Sequence, residues 1–344
     1  MNEPRVGPPT DDLAIIIVST NEAHWLRPCL SSIIEHSGNI AVDVLVADNQ
    51  SEDGTRELVE EEFPDFRVVT CENRGFAHAN NRGLMSCNAR YALFLNPDTE
   101  ILDGTFEQLV RSLDERPEVG LVGVRQVTAD GELFPTIRRF PNALRALGEA
   151  FGSERWGRSL HWLGERELRM DRYDRDVACD WTSGSFMLAR REALESAGYM
   201  DERSFIYSEE PDLCLRMKKA GWVIGHLPTM TILHHADKAG VKPKMAAQDA
   251  ASRVHYARKH FSVVHRAAYF ASLSARYALR LAWPGGEPER RRLSHEAAWR
   301  ELKVIFGRER PPFGEPPGQA VAIRISESEH AENPSRKPAH VAAK

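Results

Sequence analysis

The segment YALFLNPDTEI, residues 91–101, decides the fold. Its first five residues, Tyr91 to Leu95, form the short apolar run of a buried strand. The run ends at an Asn-Pro-Asp sequence, where Pro97 cannot donate a hydrogen bond to a neighbouring strand. Because a carboxylate is costly to bury without a partner, Asp98 indicates a ligand site at the end of this strand.

Three similar apolar runs precede this strand: LAIIIVST (13–20), VDVLVADN (42–49) and FRVVTCEN (66–73). Helix-length segments separate them, as in a parallel sheet covered by helices on both faces. We therefore predict an α/β fold with a mainly parallel, Rossmann-like sheet. Ligands bind such sheets beyond the carboxyl ends of the strands. All four runs end there in polar residues, which are candidate ligand-binding residues: Ser19, Thr20, Asn21, Asp48, Asn49, Glu72, Asn73 and Asn96.

Two of these strand ends suggest nucleotide binding. Asp48 precedes a turn into a helix, where a carboxylate can accept a hydrogen bond from a ring N–H of a pyrimidine base. The segment ENRGFAHANNRG (72–83) opens a helix with a turn at Gly75, and helix N-terminal amides bind phosphate. Its spacing does not match the GxGxxG dinucleotide fingerprint. Gly75 and Asn80 join the candidates for donor binding.

Asp98 and two histidines, His234 and His235, are candidate ligands of a divalent metal. A diphosphate leaving group needs its charge neutralised, and Mg²⁺ or Mn²⁺ held by one or two protein oxygens does this. Histidine is a more natural ligand for Mn²⁺ than for Mg²⁺. The alternative is that both histidines are ordinary strand residues, because sequence supplies no geometry.

The segment SEEPDL, residues 208–213, places Glu209, Glu210 and Asp212 at the start of a helix. A favourable interaction with the helix dipole explains one of these carboxylates well. Crowding three carboxylates raises the pKa of at least one, as a general base requires. The residues alone leave helix capping and general base catalysis as equal alternatives.

Composition describes an ordinary globular protein, with 42% hydrophobic and 28% charged residues among 344. Five scattered cysteines without CxxC spacing favour a reducing compartment and exclude a disulfide framework or zinc site. The N-terminus carries no secretory signal pattern, and no apolar run of about 18 residues is present. We therefore expect a cytoplasmic protein.

The net charge of −5 hides an asymmetry between two parts of the chain. Lys and Arg minus Asp and Glu give −13 for residues 1–249, which argues against nucleic acid as a partner. Residues 250–310 give +8, which suits contact with an anionic surface. The expected organisation is a flexible N-terminus, a catalytic domain, a helical extension and a disordered tail: 1–12, 13–245, 246–310 and 311–344.

A helical wheel of residues 262–283 separates a basic side from an apolar side. The basic side collects His265, Arg266, Ser272, Arg276 and Arg280, and the apolar side collects Val263, Phe270, Ala271, Ala278 and Leu281. This pattern predicts a basic helix lying on a membrane surface. The alternative is that the apolar stripe packs on the catalytic domain.

Taken in order, these motifs resemble family 2 glycosyltransferases of the GT-A fold, specifically the bacterial rhamnosyltransferase-like group. The resemblance covers about residues 13–262. It rests on the ordered set DNQSEDGT, NRGFAHANNRG, LFLNPDTEI, WTSGSFMLARREAL, AGYMDERSFIYSEEPDLCLRMKKAGW, ILHH and SRVHYARKHF.

The resemblance implies an inverting, metal-dependent transfer from a nucleoside-diphosphate sugar, with dTDP-rhamnose first and UDP-hexoses second. The acceptor would be a hydroxyl of a glycan or polyprenyl-linked glycan. Thr20, Asp48 and Asn73 would line the nucleotide pocket, and Asp98 would hold the metal. Glu210 would be the base, with Glu209 and Asp212 as alternatives. WTSG would supply the acceptor-binding candidates Trp181, Ser183 and Gly184.

Two departures from the family pattern concern the chemistry. The metal motif is Asn-Pro-Asp rather than Asp-x-Asp, so only Asp98 offers a carboxylate. Glu210 stands where the family usually has Asp, and a displacement of about 1 Å is costly in rate. Two rival functions are a nucleotidyltransferase and a non-catalytic sugar-nucleotide-binding protein. The first would need a glycine- and basic-rich loop near the first strand, which VSTNEAHWLR does not provide.

Overall fold

A computed structural model describes residues 11–152, 161–235 and 242–314. Asp11 and Asp12 belong to the first strand, so the expectation of a flexible segment as far as residue 12 is wrong for these two. The rest of that segment, and all but four residues of the predicted tail, lie outside the described residues.

The strands and helices alternate along the first hundred residues, as the sequence predicts. The strands are β1 (Asp11–Ser19), β2 (Val42–Asp48), β3 (Arg67–Thr70), β4 (Ala89–Leu95), β5 (Thr99–Asp103), β6 (Val119–Val127), β7 (Ile137–Arg138), β8 (Val177–Ala178), β9 (Trp181–Thr182), β10 (Phe186–Arg190) and β11 (Val223–His234). The helices are α1 (Ala23–Glu35), α2 (Thr55–Glu62), α3 (Phe76–Met85), α4 (Phe106–Asp114), α5 (Ala143–Ala150), α6 (Arg191–Ala197), α7 (Glu209–Lys219), α8 (Pro243–His260), α9 (Val263–Ala282) and α10 (Pro288–Ile305).

Within the described residues the main sheet has nine strands, in the order β3-β2-β1-β4-β10-β6-β11-β5, with β8 paired to β11. Strands β1 to β4 pair in parallel, as do β6 and β11. Strand β10 is antiparallel to both neighbours, β4 and β6. The predicted mainly parallel sheet is confirmed, and the inserted β10 brings the segment before it to the ligand-binding edge.

Helices cover both faces of the sheet. Apolar residues of α1 and α4, such as Leu30 and Leu109, pack on one face, and those of α3 and α7, such as Leu84 and Leu213, pack on the other. Several central strand residues are completely buried, including Ile15 and Leu93. Burial of both faces explains why these strands are continuously apolar.

Helix α9 packs in the opposite orientation to the one the helical wheel predicts. Arg276 forms an ion pair with Glu149 of α5, and Arg280 forms one with Glu301 of α10. These arginines therefore face other helices, together with the buried Tyr269, Leu273 and Tyr277. The expectation that Arg276 and Arg280 meet a membrane is wrong, because ion pairs with acidic residues distant in sequence direct them toward α5 and α10.

The other face of α9 is exposed and carries no charged side chain. Its two largest exposed residues near the start are Val263 and Val264, at 72% and 76% exposure, followed by Leu279 at 42%. His265 near the start of the helix is also exposed, and the remaining exposed members are alanines: Ala267, Ala268, Ala271, Ala278 and Ala282. The alternative prediction was that the apolar stripe packs on the catalytic domain. Most residues of that stripe are exposed, so this prediction is also wrong for them.

Candidate functional site

The carboxyl ends of β1 and β2 are held together by hydrogen bonds between their loops. Asn21, with φ +57°, accepts a hydrogen bond at its side-chain oxygen from the Glu52 amide at 2.8 Å. The Asn21 amide donates to Ser51 Oγ at 3.0 Å. Asp48 is buried, and its Oδ1 accepts a hydrogen bond from the Ser51 amide at 3.0 Å. Asn21 thus links the two loops, and Asp48 retains its second carboxylate oxygen for a ligand.

Buried polar atoms without partners lie beside Asp48. Ser19 Oγ and Asn49 Oδ1 are both buried and have no hydrogen-bond partner within the described residues. The Asn49 amide donates to the Ser19 carbonyl at 2.9 Å, so the two residues are adjacent. Because buried polar groups are almost always paired, these atoms mark a place for a polar ligand. Thr20, the next residue after β1, is half-exposed at the same edge.

The N-terminus of α3 is arranged differently from the phosphate-binding site that the sequence predicts. The Phe76 amide donates to the Phe205 carbonyl at 2.8 Å, so it is not available to a phosphate. Gly75 has φ +104°, and a Cβ there would lie 2.0 Å from the Phe205 carbonyl oxygen. The need for glycine at 75 therefore comes from contact with the 199–208 segment. Asn80 is buried and donates to the Phe76 carbonyl at 3.0 Å, while Asn73 is exposed before the turn.

Asp98 and His234 face each other at the ends of β4 and β11. Asp98 Oδ2 lies 3.5 Å from His234 Nε2, and His234 pairs with Thr99 across the β5–β11 ladder. Burial alone would raise the pKa of Asp98, but hydrogen bonding and charge from His234, with help from Asn96, hold that pKa below its ordinary value. The carboxylate is therefore kept ionised, as a cation ligand must be.

The structure directs His235 away from Asp98. Its Nε2 lies 2.6 Å from Glu100 Oε1, and its ring stacks on Trp25 with centroids 4.3 Å apart. His235 contacts Asp98 through the main chain: the His235 amide donates a hydrogen bond to the Asp98 carbonyl at 2.9 Å. His235 therefore positions the loop, and its ring contacts Glu100 and Trp25 rather than Asp98.

A divalent cation fits the remaining pair. His234 Nδ1 is buried without a hydrogen-bond partner within the described residues, which leaves the ring held mainly by its position beside Asp98. Across the described residues, no group of three His, Cys, Asp or Glu side chains is arranged to hold a metal. One carboxylate and one imidazole suit a cation whose other ligands are phosphate oxygens and water.

Glu22 is a site residue that the sequence analysis missed. Burial, and then the negative charge of Asp98, raise the pKa of Glu22 to about 7. It follows Asn21 directly at the end of β1, so the polar run after this strand extends one residue further than expected. Its position in that run is the signal that would have identified it.

Glu210 lies against a loop that also contacts the end of β4. The Gly184 amide donates to Glu210 Oε1 at 3.2 Å, and the Asn96 amide donates to the Ser185 carbonyl at 3.1 Å. A Cβ at Gly184 would lie 2.6 Å from Glu210 Oε1, so an added methyl group would displace the carboxylate. The loop 183–185 therefore holds the Asn-Pro-Asp turn on one side and Glu210 on the other. Ser183 and Trp181 lie on the same segment and are half-exposed.

The three carboxylates of α7 have different environments. Glu209 is buried with Oε2 unpartnered, and its pKa is raised well above the ordinary value by burial and by Glu210. Glu210 is partly exposed, and burial also raises its pKa. Asp212 contacts Arg216, Lys259 and His260. Burial would raise the pKa of Asp212, but a hydrogen bond from His260 and the charges of Arg216 and Lys259 hold it at about 2.

These environments separate the candidates for the general base. Asp212 is compensated by Arg216 and Lys259 and contacts His260, and its carboxylate is weakly basic, so the structure argues against it. Glu209 is 4% exposed and has no direct access to solvent. Glu210 combines a raised pKa with partial exposure.

The two residues before α7, Tyr207 and Ser208, have φ values of +75° and +67°. Such strained backbone is concentrated at functional sites.

The arrangement of strands and helices is the GT-A fold. A mannosyltransferase from Pyrobaculum calidifontis, solved with GDP-Man and Mn²⁺, superposes with a TM-score of 0.53 at 18% identity. The superposition covers 90% of this chain and 92% of the other. The predicted GT-A architecture with a helical C-terminal region is thus confirmed.

Sequence comparison identifies the family. The family model described as glycosyl transferase family 2 matches residues 14–198. An N-acetylglucosaminyl-diphospho-decaprenol L-rhamnosyltransferase of Mycobacterium tuberculosis is 31% identical over 266 residues, covering 73% of this chain and 86% of the relative. The rhamnosyltransferase WbbL of Escherichia coli is 23% identical over 230 residues, covering 64% and 83%. The chain belongs to glycosyl transferase family 2 and is a rhamnosyltransferase-like glycosyltransferase.

None of the helices in the described parts of the chain combines the length and apolar character needed to cross a membrane.

Proposed function

We propose that this protein is an inverting rhamnosyltransferase that uses dTDP-rhamnose and glycosylates a lipid-linked acceptor. The observation that supports this most strongly is the hydrogen bonding of loop 183–185 to Asn96 on one side and Glu210 on the other. A metal-binding carboxylate and a base are thereby held on either side of one short loop. Direct displacement needs this arrangement, because the leaving diphosphate and the attacking hydroxyl lie on opposite sides of the sugar carbon.

The donor would occupy the edge formed by β1, β2 and β4. The free oxygen of Asp48 and the unpartnered atoms of Ser19 and Asn49 would bind the nucleoside, with Thr20 and Asn73 at its margin. Asp98 and His234 would hold Mn²⁺ or Mg²⁺, which neutralises the charge of the leaving diphosphate when it is bound. The imidazole ligand favours Mn²⁺.

The acceptor would enter beside Trp181 and Ser183, with its hydroxyl directed at Glu210. The raised pKa of Glu210 keeps this carboxylate basic enough to take the hydroxyl proton during attack. The mycobacterial relative is named for a lipid diphosphate that carries N-acetylglucosamine. An acceptor of that class is our proposal for this chain.

A panel of nucleoside-diphosphate sugars, measured by thermal shift with Mn²⁺ or Mg²⁺, tests the donor assignment. A ligand that binds only the folded state raises Tm, by an amount that grows with its concentration relative to Kd. We expect dTDP-rhamnose with Mn²⁺ to raise Tm more than UDP-hexoses do. A larger shift with a UDP-hexose would contradict the choice of donor, and no shift with any member would contradict the proposed site.

We also propose that the protein acts at the cytoplasmic membrane surface through the exposed face of α9. This face has no charged side chain between Val263 and Leu279, and Trp283, which is 63% exposed, follows it. Exposed Arg290 and Arg292 of α10 come shortly after it in the chain. Apolar residues with nearby arginines suit the interface of an anionic bilayer.

Vesicle co-sedimentation tests this membrane contact. We expect the protein to sediment with anionic vesicles, less so at high salt, and the Val264→Glu/Leu279→Glu variant to remain in the supernatant because it places charges in the apolar face. Ile34→Glu is the matched control, since Ile34 is 57% exposed on α1 of the catalytic domain. Equal recovery of the wild type with and without anionic vesicles would contradict the proposal.

A further inference from the structure

Arg138 of β7 is a cation that forms no ion pair with the parts of the chain that the structure describes. Its Nε is buried without a hydrogen-bond partner, and no carboxylate of the described residues forms an ion pair with it. Its guanidinium lies over the Trp181 ring, with Cζ 5.5 Å from the centroid. Burial, and then the positive charge of Arg166, lower the pKa of Arg138. Arg138 is half-buried, and its buried Nε is a polar atom that is costly to leave unpaired, so this position suggests an anionic ligand.

A second arginine lies beside the first. Arg138 and Arg166 are directly opposite in an antiparallel bridge, and Trp181 is opposite Arg138 on its other side. Residues directly opposite in such pairs project to the same side of the sheet. Arg166 is exposed at the protein surface. Two neighbouring arginines create a positive potential that attracts an anionic ligand.

Arg138 lies near the proposed base, and an apolar surface follows it closely in the chain. Arg138 is close enough to Glu210 for the charge of each to affect the pKa of the other, although the two form no ion pair. Nearby Glu165 is already paired with Arg253 at 3.1 Å. Helix α5 begins five residues after Arg138 and packs against residues 161–163. The exposed apolar side chains of this region are Leu144, Leu147, Phe151 and Trp162.

We propose that Arg138, assisted by Arg166, binds the diphosphate of the lipid-linked acceptor. The inference rests on the proposed function and adds a subsite to it. An acceptor sugar at Glu210 would place its diphosphate toward the arginines and its lipid toward α5. The planar guanidinium group donates two parallel hydrogen bonds to phosphate oxygens, which an ammonium group does not do. Trp181 would fix the plane of the Arg138 guanidinium by its cation–π contact.

Binding measurements on the full chain test the subsite without catalysis. Isothermal titration calorimetry would use a short-chain prenyl diphosphate with no sugar, in EDTA, so that no metal at Asp98 can bind the diphosphate. We expect Arg138→Met to weaken this binding about ten- to a hundredfold, because charge-assisted hydrogen bonds are lost. Arg166→Gln, at an exposed position, should weaken it less. Arg138→Lys should restore only part of the affinity.

Matched ligands and variants separate the acceptor diphosphate from that of the donor. Arg111→Gln changes a 72% exposed arginine of α4 and should leave all affinities unchanged. The binding of dTDP with Mn²⁺ should be the same in Arg138→Met as in the wild type. A selective loss of dTDP binding in Arg138→Met would place this arginine at the donor and overturn the proposal. Unchanged prenyl diphosphate binding in both Arg138→Met and Arg166→Gln would also overturn it.

The same variants distinguish failure of the subsite from failure of the proposed function. Arginine-dependent binding of prenyl diphosphate in a protein that transfers no sugar would support the subsite and contradict the function. Normal transfer to N-acetylglucosaminyl diphospholipid by Arg138→Met, with unchanged KM for that acceptor, would contradict the subsite alone.

Discussion

The Asp98→Ala variant is expected to lose sugar transfer by about a hundred- to a thousandfold while remaining folded. Electrostatic stabilisation of developing charge typically raises the rate by a factor of this order. Asp98 would contribute to it as the carboxylate of the proposed metal site. A second readout does not depend on turnover. Mn²⁺ should strengthen dTDP binding in the wild type, and this effect should disappear in Asp98→Ala.

Asp103→Ala is the matched control for Asp98→Ala. Asp103 is exposed at the other end of β5, so its loss should leave both turnover and the effect of Mn²⁺ unchanged. Near-normal turnover of pure Asp98→Ala with saturating acceptor, together with intact Mn²⁺-dependent dTDP binding, would end the metal assignment.

The Glu210→Gln variant is expected to lower turnover by about 10²–10⁴-fold with little change in donor affinity. Loss of a general base typically lowers turnover by this factor. A base contacts the acceptor rather than the nucleotide, so donor affinity should change little. Glutamine keeps an oxygen that can accept the Gly184 hydrogen bond. Because burial raises the pKa of Glu210, wild-type turnover should fall as pH decreases through a value above the ordinary 4.5. Steady-state kinetics across pH would measure both effects.

The neighbouring carboxylates serve as controls for Glu210. Asp212→Asn should mainly reduce stability, because the lowered pKa of Asp212 contributes about 2 kcal/mol above pH 4. This contribution is lost as pH falls through about 2, the pKa in the folded state. If Glu209→Gln abolishes turnover while Glu210→Gln is mild, the choice of base is wrong.

Local patterns in the sequence were sufficient to predict the sheet and most of its ligand-binding edge. Continuous apolar runs identify strands buried on both faces, and the residues that follow them must lie at one edge. Asp48 and Asp98 could therefore be placed without knowing the strand order. The insertion of antiparallel β10 could not be predicted, because strand order depends on contacts between distant segments.

The predictions that failed depended on partners distant in sequence. A helical wheel cannot show that Glu149 and Glu301 pair with Arg276 and Arg280 and so reverse the exposed face of α9. For the same reason, the sequence could not show that the carbonyl of Phe205 requires glycine at position 75.

Product analysis tests the central claim most directly. The protein would be incubated with Mn²⁺, dTDP-rhamnose and N-acetylglucosaminyl diphospholipid, and the nucleotides and disaccharide would be quantified together. We predict one dTDP released for each disaccharide formed, with the anomeric configuration of the rhamnose inverted relative to the donor. Release of pyrophosphate, or retention of the donor's anomeric configuration, would contradict an inverting glycosyltransferase that acts through Asp98 and Glu210.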